Sequence, residues 1–156
     1  MKTWGKVVIG IAIALVVLLV VACFGMGYGI YSQLGNVQGS CDTHQANRPD
    51  SIQANDAWPP IDLTRYTMSP YETVRFPSRE AGIEIAGWWI ERDPQAPAVL
   101  LVHGFGGCKN AIDVLVPAGM LWRNGFNVLL IDLRDIGESG PDDMRSAIGN
   151  DEYLDV

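Results

Sequence analysis

Hydrophobic positions fall into four patterns along the chain. The first runs from Val7 to Tyr31, VVIGIAIALVVLLVVACFGMGYGIY, twenty-five residues without a charge. About 20 suffice to cross a bilayer, so this stretch predicts a transmembrane helix. The second is an apolar/polar alternation over Glu72 to Phe76 and again over Ile83 to Ile90, with a turn at Ser78-Arg79-Glu80-Ala81-Gly82 between them. It predicts an antiparallel hairpin. Trp88 and Trp89 are adjacent and face opposite ways in a strand, so at least one is assigned to the core. The third pattern is unbroken apolarity at Ala98 to Val102 and again in FNVLLIDL, Phe126 to Leu133. It suits central strands of a parallel sheet covered by helices on both faces.

The fourth pattern has helical spacing: Ile112, Leu115, Ala118, Leu121 and Trp122, with Arg123 in the last turn and Gly125 placed to end it. Pro117 is either the first residue of a shorter helix or a kink in a longer one. Strand, helix and strand then form one right-handed parallel unit. Gly137, Gly140 and Pro141 mark the following loop, and Asn150 to Val156 opens with acidic residues suited to a helix N-terminus. Ser32 to Pro70 has no sustained period and includes Pro59-Pro60, which reads as a spacer. Its Trp58 and Tyr66, with Tyr71 just beyond, are aromatic residues suited to ordering against the domain. The expected organisation is 1–6 cytoplasmic, 7–31 transmembrane, 32–70 linker and 71–156 an α/β domain.

Charge changes the picture in two ways. Lys2, Lys6 and the amino terminus precede the apolar span, and the first ionised residue after it is Asp42. The positive side stays in the cytoplasm, which places the rest of the chain outside as a single-pass membrane protein. The alternatives are a cleaved secretory signal and a lipoprotein, since Val20-Val21-Ala22-Cys23 resembles a bacterial lipobox; the apolarity continuing past Cys23 favours the anchor. Beyond the span, nine Lys/Arg stand against eighteen Asp/Glu, so nucleic acid is not an expected partner; the lipid bilayer is, because of the span itself. The three cysteines, Cys23, Cys41 and Cys108, contain no C-x-x-C pair, and the two histidines, His44 and His103, lie far apart in sequence. Neither a zinc site nor a disulfide framework is indicated, and no cofactor is expected.

Candidate chemistry sits where the strand AVLLV meets His103-Gly104-Phe105-Gly106-Gly107. In open α/β sheets, ligands bind outside the carboxyl ends of strands, and glycines let backbone approach a reacting group. One enzymatic reading is dinucleotide binding, with Asp132 at the end of the second strand. Its spacing fails: G-x-G-x-x-G requires glycine at Lys109, Pro117 blocks a long helix starting at the loop, and a preceding hairpin is unexpected.

The hairpin at 72–90, LLVHGFGG at 100–107, NGFNVLLIDLRDIGESG at 124–140, and Gly149, Glu152 and Asp155 together resemble the N-terminal part of an α/β-hydrolase, nearest to the serine aminopeptidase and lysophospholipase-like branch. The resemblance covers Tyr71 to Val156 and departs from the pattern at Asp135-Ile136, where relatives usually have Gly-His. It implies a serine hydrolase acting on a small ester, acyl or peptide substrate, which the apolar span at 7–31 is expected to anchor in the membrane. The backbone N–H of Phe105 would bind the oxyanion, with Gly104 and Gly106 shaping the loop. The general base follows the nucleophile in this family, so His103 is assigned to fixing the loop by hydrogen bonds. Ser139 lacks the G-x-S-x-G context and is not taken as the nucleophile. Asp132, Arg134 and Asp135 are read as loop-ordering charges and Cys108 as a packed small residue.

With no elbow serine and no histidine after residue 103, the triad is expected to lie outside these 156 residues. The sequence then holds the first part of the sheet, truncated before the nucleophile elbow, with an unpaired strand edge. A non-catalytic, membrane-tethered binding module of the same fold is the alternative from another class.

Overall fold

The computed structural model describes residues 2–37, 41, 46–53 and 61–156. The readings at His44, Trp58 and Pro59-Pro60 lie outside the described residues. The chain divides into two compact units, residues 1–36 and 37–156.

The first unit is one helix, α1 (Lys2–Leu34). At 1.5 Å per residue its 33 residues extend about 50 Å. Its stretch Trp4–Leu34 is long and apolar enough to cross a membrane. Large side chains are exposed all round it, Leu18 at 68% and Phe24 at 76%. A helix apolar on every side is stable in lipid or in a core, and the rest of its own unit supplies no core. The expected span 7–31 lies inside α1, which continues three residues further, where the Ser32 hydroxyl donates to Gly29 O at 3.0 Å.

The second unit is built on one mixed sheet. Strands β1 (Glu72–Pro77) and β2 (Glu84–Ile90) form the expected antiparallel hairpin, and β3 (Ala98–Val102) pairs in parallel with β4 (Asn127–Ile131). The order is β1-β2-β4-β3, with β2 antiparallel to β4 through Gly87 opposite Ile131 and Ile90 opposite Val128. Helix α2 (Ile112–Arg123) connects β3 to β4.

Period two in the strands divides the core between the sheet's faces. Trp88, Ile90, Val128 and Leu130 pack with Val114, Leu115 and Ala118 of α2 and with Met68. Ile85 and Ile131 pack with Ile83, Phe76, Leu129 and Leu133 in a separate cluster. Trp88 is therefore the core tryptophan, 3% exposed, while Trp89 is half-buried.

Pro117 lies inside α2 as its sixth residue, so the helix lacks the N–H that would have donated to Asp113 O. Phe126 N–H donates back to Leu121 O at 3.2 Å and Gly125 N–H to Trp122 O at 3.1 Å, ending the helix where the sequence expects.

Three expectations need correction. The run at 98–102 reads as a central strand, but β3 is the edge of the sheet, and Leu100 and Val102 are each 40% exposed. Helix α2 covers one face, through Leu101, and among the described residues no strand pairs with the outer edge. The anticipated unpaired edge is thus located at β3.

The spacer expected over 32–70 is not wholly a spacer. Met68 is fully buried in the main cluster, and Leu63, in the 3-10 turn Leu63–Tyr66, packs on Ile112 and Val116. Asp62 caps that turn by accepting the Thr64 N–H at 3.1 Å. Finally, the helix start expected at Asn150 is a single 3-10 turn, Glu152–Asp155. Its carboxylates are drawn into tertiary contacts described below and do not serve a helix N-terminus.

Candidate functional site

The glycine loop begins where β3 ends. Gly107 N–H donates to Gly104 O at 2.9 Å, closing a tight turn over Phe105 and Gly106. Gly106 has φ +68°, a left-handed conformation that disfavours any side chain. Gly104 has no such constraint, and a Cβ there would meet open space. The turn therefore depends on Gly106 more than on Gly104. The Phe105 ring is 62% exposed. Among the described residues, no hydrogen bond uses the N–H of Gly104, Phe105 or Gly106. A backbone N–H with no partner within the described residues, at a strand's carboxyl end, is a donor that an anionic oxygen can use.

His103 holds the loop in place. Its Nε2 accepts the Leu133 N–H at 3.2 Å, and its Nδ1 lies 2.9 Å from Gly104 O. An Nε2 that accepts leaves the proton on Nδ1, which then donates to Gly104 O. Both ring nitrogens are committed, in keeping with the loop-fixing role read from the sequence.

Beneath the loop lies a buried ion cluster whose centre is Asp132, 1% exposed. Its Oδ1 accepts the Lys109 N–H at 2.8 Å, and its Oδ2 accepts the Glu138 N–H at 3.0 Å and a short bond from Lys109 Nζ. Lys109 Nζ also bonds Glu138 Oε2 at 2.9 Å and sits 4.7 Å from the centre of the Trp88 ring. The Lys109 ammonium holds the Glu138 carboxyl below its usual range. Gly137, at φ +58°, passes so close to Asp132 that a Cβ would lie 2.2 Å from Oδ2. Ser139 accepts the Ala86 N–H at 2.9 Å and donates to Asp132 O at 2.6 Å. That commitment agrees with its rejection as a nucleophile. It also removes the dinucleotide reading, since Asp132 is occupied and inaccessible to a ribose. Sequence reasoning met Lys109 only as a mismatch to a glycine motif and missed it as the counter-charge.

A second cluster surrounds Arg134, whose side chain is 2% exposed. Its Nη2 bonds Asp155 Oδ1 at 2.9 Å and its Nε bonds Asp155 Oδ2 at 3.2 Å, while Nη1 makes a short bond to Glu80. Asp155, then Glu80, raise the guanidinium's proton affinity further. Ser78 donates to Asp155 Oδ1 at 2.8 Å. Asp135 occupies φ +63°, a region that Asp tolerates better than most residues, and its Oδ1 accepts the Asp142 N–H. Its Oδ2 is buried with no hydrogen-bond partner among the described residues. Asp135, Asp142 and Asp143 bring carboxylate oxygens within 4.8 Å of one another, with Arg134 3.7 Å from Asp142 as compensating charge. Ile136, the second departure from the family pattern, packs with Val37 and Cys108.

Glu152 fastens the loop at 146–149. It accepts from the Ser146 hydroxyl at 2.8 Å and from the N–H groups of Ala147 at 2.9 Å and Gly149 at 2.8 Å. Burial pushes its carboxyl up, but these donors outweigh burial and hold it below its usual range. Between this loop and the glycine loop lies a mostly apolar cavity of about 180 Å³, lined by His103, Phe105, Leu133, Ile136, Ile148 and Glu152 among others.

No family model and no curated protein matches the chain. Among solved structures, it is similar to the Pyrococcus furiosus esterase Pf2001. In one crystal form the identity is 24%, over 67% of this chain and 37% of the esterase, with a TM-score of 0.49. In another it is 25%, over 70% and 39%, with the same TM-score. It is also similar to the alpha/beta hydrolase GrgF from Penicillium sp. sh18, at 27% identity over 48% of this chain and 25% of that one, TM-score 0.39. The chain spans less than two fifths of the esterase's length.

Proposed function

We propose that this chain carries the oxyanion-binding half of a membrane-anchored serine hydrolase, with the Phe105 N–H as a donor to the tetrahedral intermediate. The observation that carries the reading is the set of unused N–H groups at Gly104, Phe105 and Gly106, presented beside an apolar cavity at the carboxyl end of β3. A preorganised donor of this kind stabilises charge only as it develops in the transition state, and removing one costs about 2.7–4 kcal/mol.

Nucleophile, base and acid are supplied by residues other than Ser139 and His103, whose polar atoms are already committed. Helix α1 acts as the anchor, and Lys2 and Lys6 orient it with residues 37–156 outside the cytoplasm. Labelling the product of the whole reading frame with a fluorophosphonate tests the reading. Covalent capture at a serine of a G-x-S-x-G motif is the expected result; capture at Ser139, or no capture, contradicts it.

A further inference from the structure

Cys41 and Cys108 are separated by 66 residues in the sequence and give no local spacing signal. The fold nevertheless brings them together: Cys41 packs against the small cluster formed by Cys108, Val37 and Ile136. Cys108 is fully buried, whereas Cys41 is half-buried. The Cys108 S–H has two acceptors within reach, Asn110 Oδ1 and the Cys41 sulfur, and serves one at a time. We infer that Cys41 and Cys108 are a redox-active pair that closes into an intrachain disulfide, fastening the start of the second unit to the glycine loop.

The two sulfurs are inequivalent, which sets the order of events. The hydrogen bond from Cys108 favours the Cys41 thiolate and lowers its proton affinity, with the Lys109 charge assisting; that same bond, then burial, raises Cys108. Asp132 opposes ionisation of both. Cys41, half-buried where Cys108 is fully buried, is the sulfur an oxidant reaches first and so the attacking thiolate. With oxidised glutathione as the oxidant, Cys41 attacks one of its sulfurs, its S–S bond breaks, and one glutathione leaves as thiolate and takes up a proton. Cys108 then loses its proton to solvent and attacks the Cys41 sulfur, expelling the second glutathione. Two protein thiols are oxidised by two electrons, and one glutathione disulfide is reduced to two thiols. The consequence is local: Cys108 immediately follows Gly107 in the turn that presents the Phe105 N–H, so the bond restrains that turn.

The pairing rests on the packing of Cys41 against the Cys108 cluster; its occurrence in the cell rests on the extracytoplasmic orientation proposed above. The test uses the full chain in detergent, fully reduced, then incubated with oxidised glutathione and treated with a maleimide–polyethylene glycol reagent under denaturing conditions. One reactive thiol, Cys23, is expected to remain, with a Cys41–Cys108 linked peptide in a non-reducing digest. Cys23→Ser should form the same link, and Cys41→Ser should leave Cys108 reactive or carrying no peptide link. Reduction of the bonded form should lower Tm by on the order of 10 °C, because a long loop is released. Three reactive thiols, a stable glutathione adduct at Cys41 with Cys108 free, or links to Cys23 or a second copy would overturn the pairing. A bond formed in vitro by protein isolated from cells in the dithiol state supports the pairing and contradicts the orientation.

Discussion

The Leu133 N–H donates to His103 Nε2 at 3.2 Å, and this bond joins the end of β3 to the loop that follows β4. Both partners of the imidazole are backbone groups, so its role is to hold two loops in register. Replacing His103 by Ala leaves the Leu133 N–H without its acceptor and frees Gly104 O, at a cost of about 1–3 kcal/mol. A urea titration of the His103→Ala variant should show a lowered midpoint with unchanged slope. A midpoint equal to that of the parent would mean that the imidazole does not support the loop.

The Asp132 carboxylate gathers three donors in a buried setting, so its removal should do more harm than removal of any one donor. Asp132→Ala leaves two backbone N–H groups without their acceptor and the Lys109 ammonium with Glu138 as its remaining carboxylate, an effect of at most about 3–5 kcal/mol. Lys109→Met leaves the carboxylate with both backbone donors and keeps a side chain against Trp88. The expected order of Tm is parent, then Lys109→Met, then Asp132→Ala. The reverse order would contradict the central place given to Asp132.

The order of elements in the second unit was legible because each had an unambiguous local pattern: alternation at 83–90, continuous apolarity at 98–102 and 126–133, and helical spacing at 112–122. What sequence could not supply was adjacency. Apolarity at Leu100 and Val102 reports the capacity to be covered, not the cover: among the described residues no strand pairs with the outer edge of β3. Met68 lies in a stretch rich in polar and turn residues, and a single buried side chain has no period to reveal it. Asp155 and Arg134 meet from positions 21 apart, and Cys41 and Cys108, with 66 residues between them, also come together. Motif context set His103 and Ser139 aside as catalytic candidates, and the structure adds that the polar atoms of both make hydrogen bonds to backbone groups.

Glu152 gives the fold an acid-sensitive latch. Its folded-state carboxyl lies below its unfolded value of about 4.3. Its contribution is therefore complete above that value and is lost as pH falls through the folded value. Glu152→Gln should be less stable than the parent at pH 7, and the gap should narrow on acidification below about 4.3. Thermal melts across pH 3–7 measure this. A gap that is constant with pH would show that the charge of Glu152 contributes nothing.

Helix α1 should keep the chain in the membrane through extraction with alkaline carbonate, and residues beyond 37 should be digested by protease added to the periplasmic or outer side of intact membranes. Release with Met1 retained would contradict anchoring. A new N-terminus at Cys23 carrying lipid would replace the transmembrane anchor with a lipoprotein one.

The central claim is that the Phe105 backbone N–H, and not its ring, acts in catalysis. The direct measurement is kcat/KM for a short-chain ester with the product of the whole reading frame, comparing Phe105→Leu with Phe105→Pro. Leucine keeps the N–H and removes the ring, whereas proline removes the N–H at a position where it makes no hydrogen bond within the described residues. Phe105→Leu should remain within about 3-fold of the parent, and Phe105→Pro should fall by about 100- to 1,000-fold with Tm nearly unchanged. Equal losses in the two variants, or no ester turnover by the parent, would contradict the account.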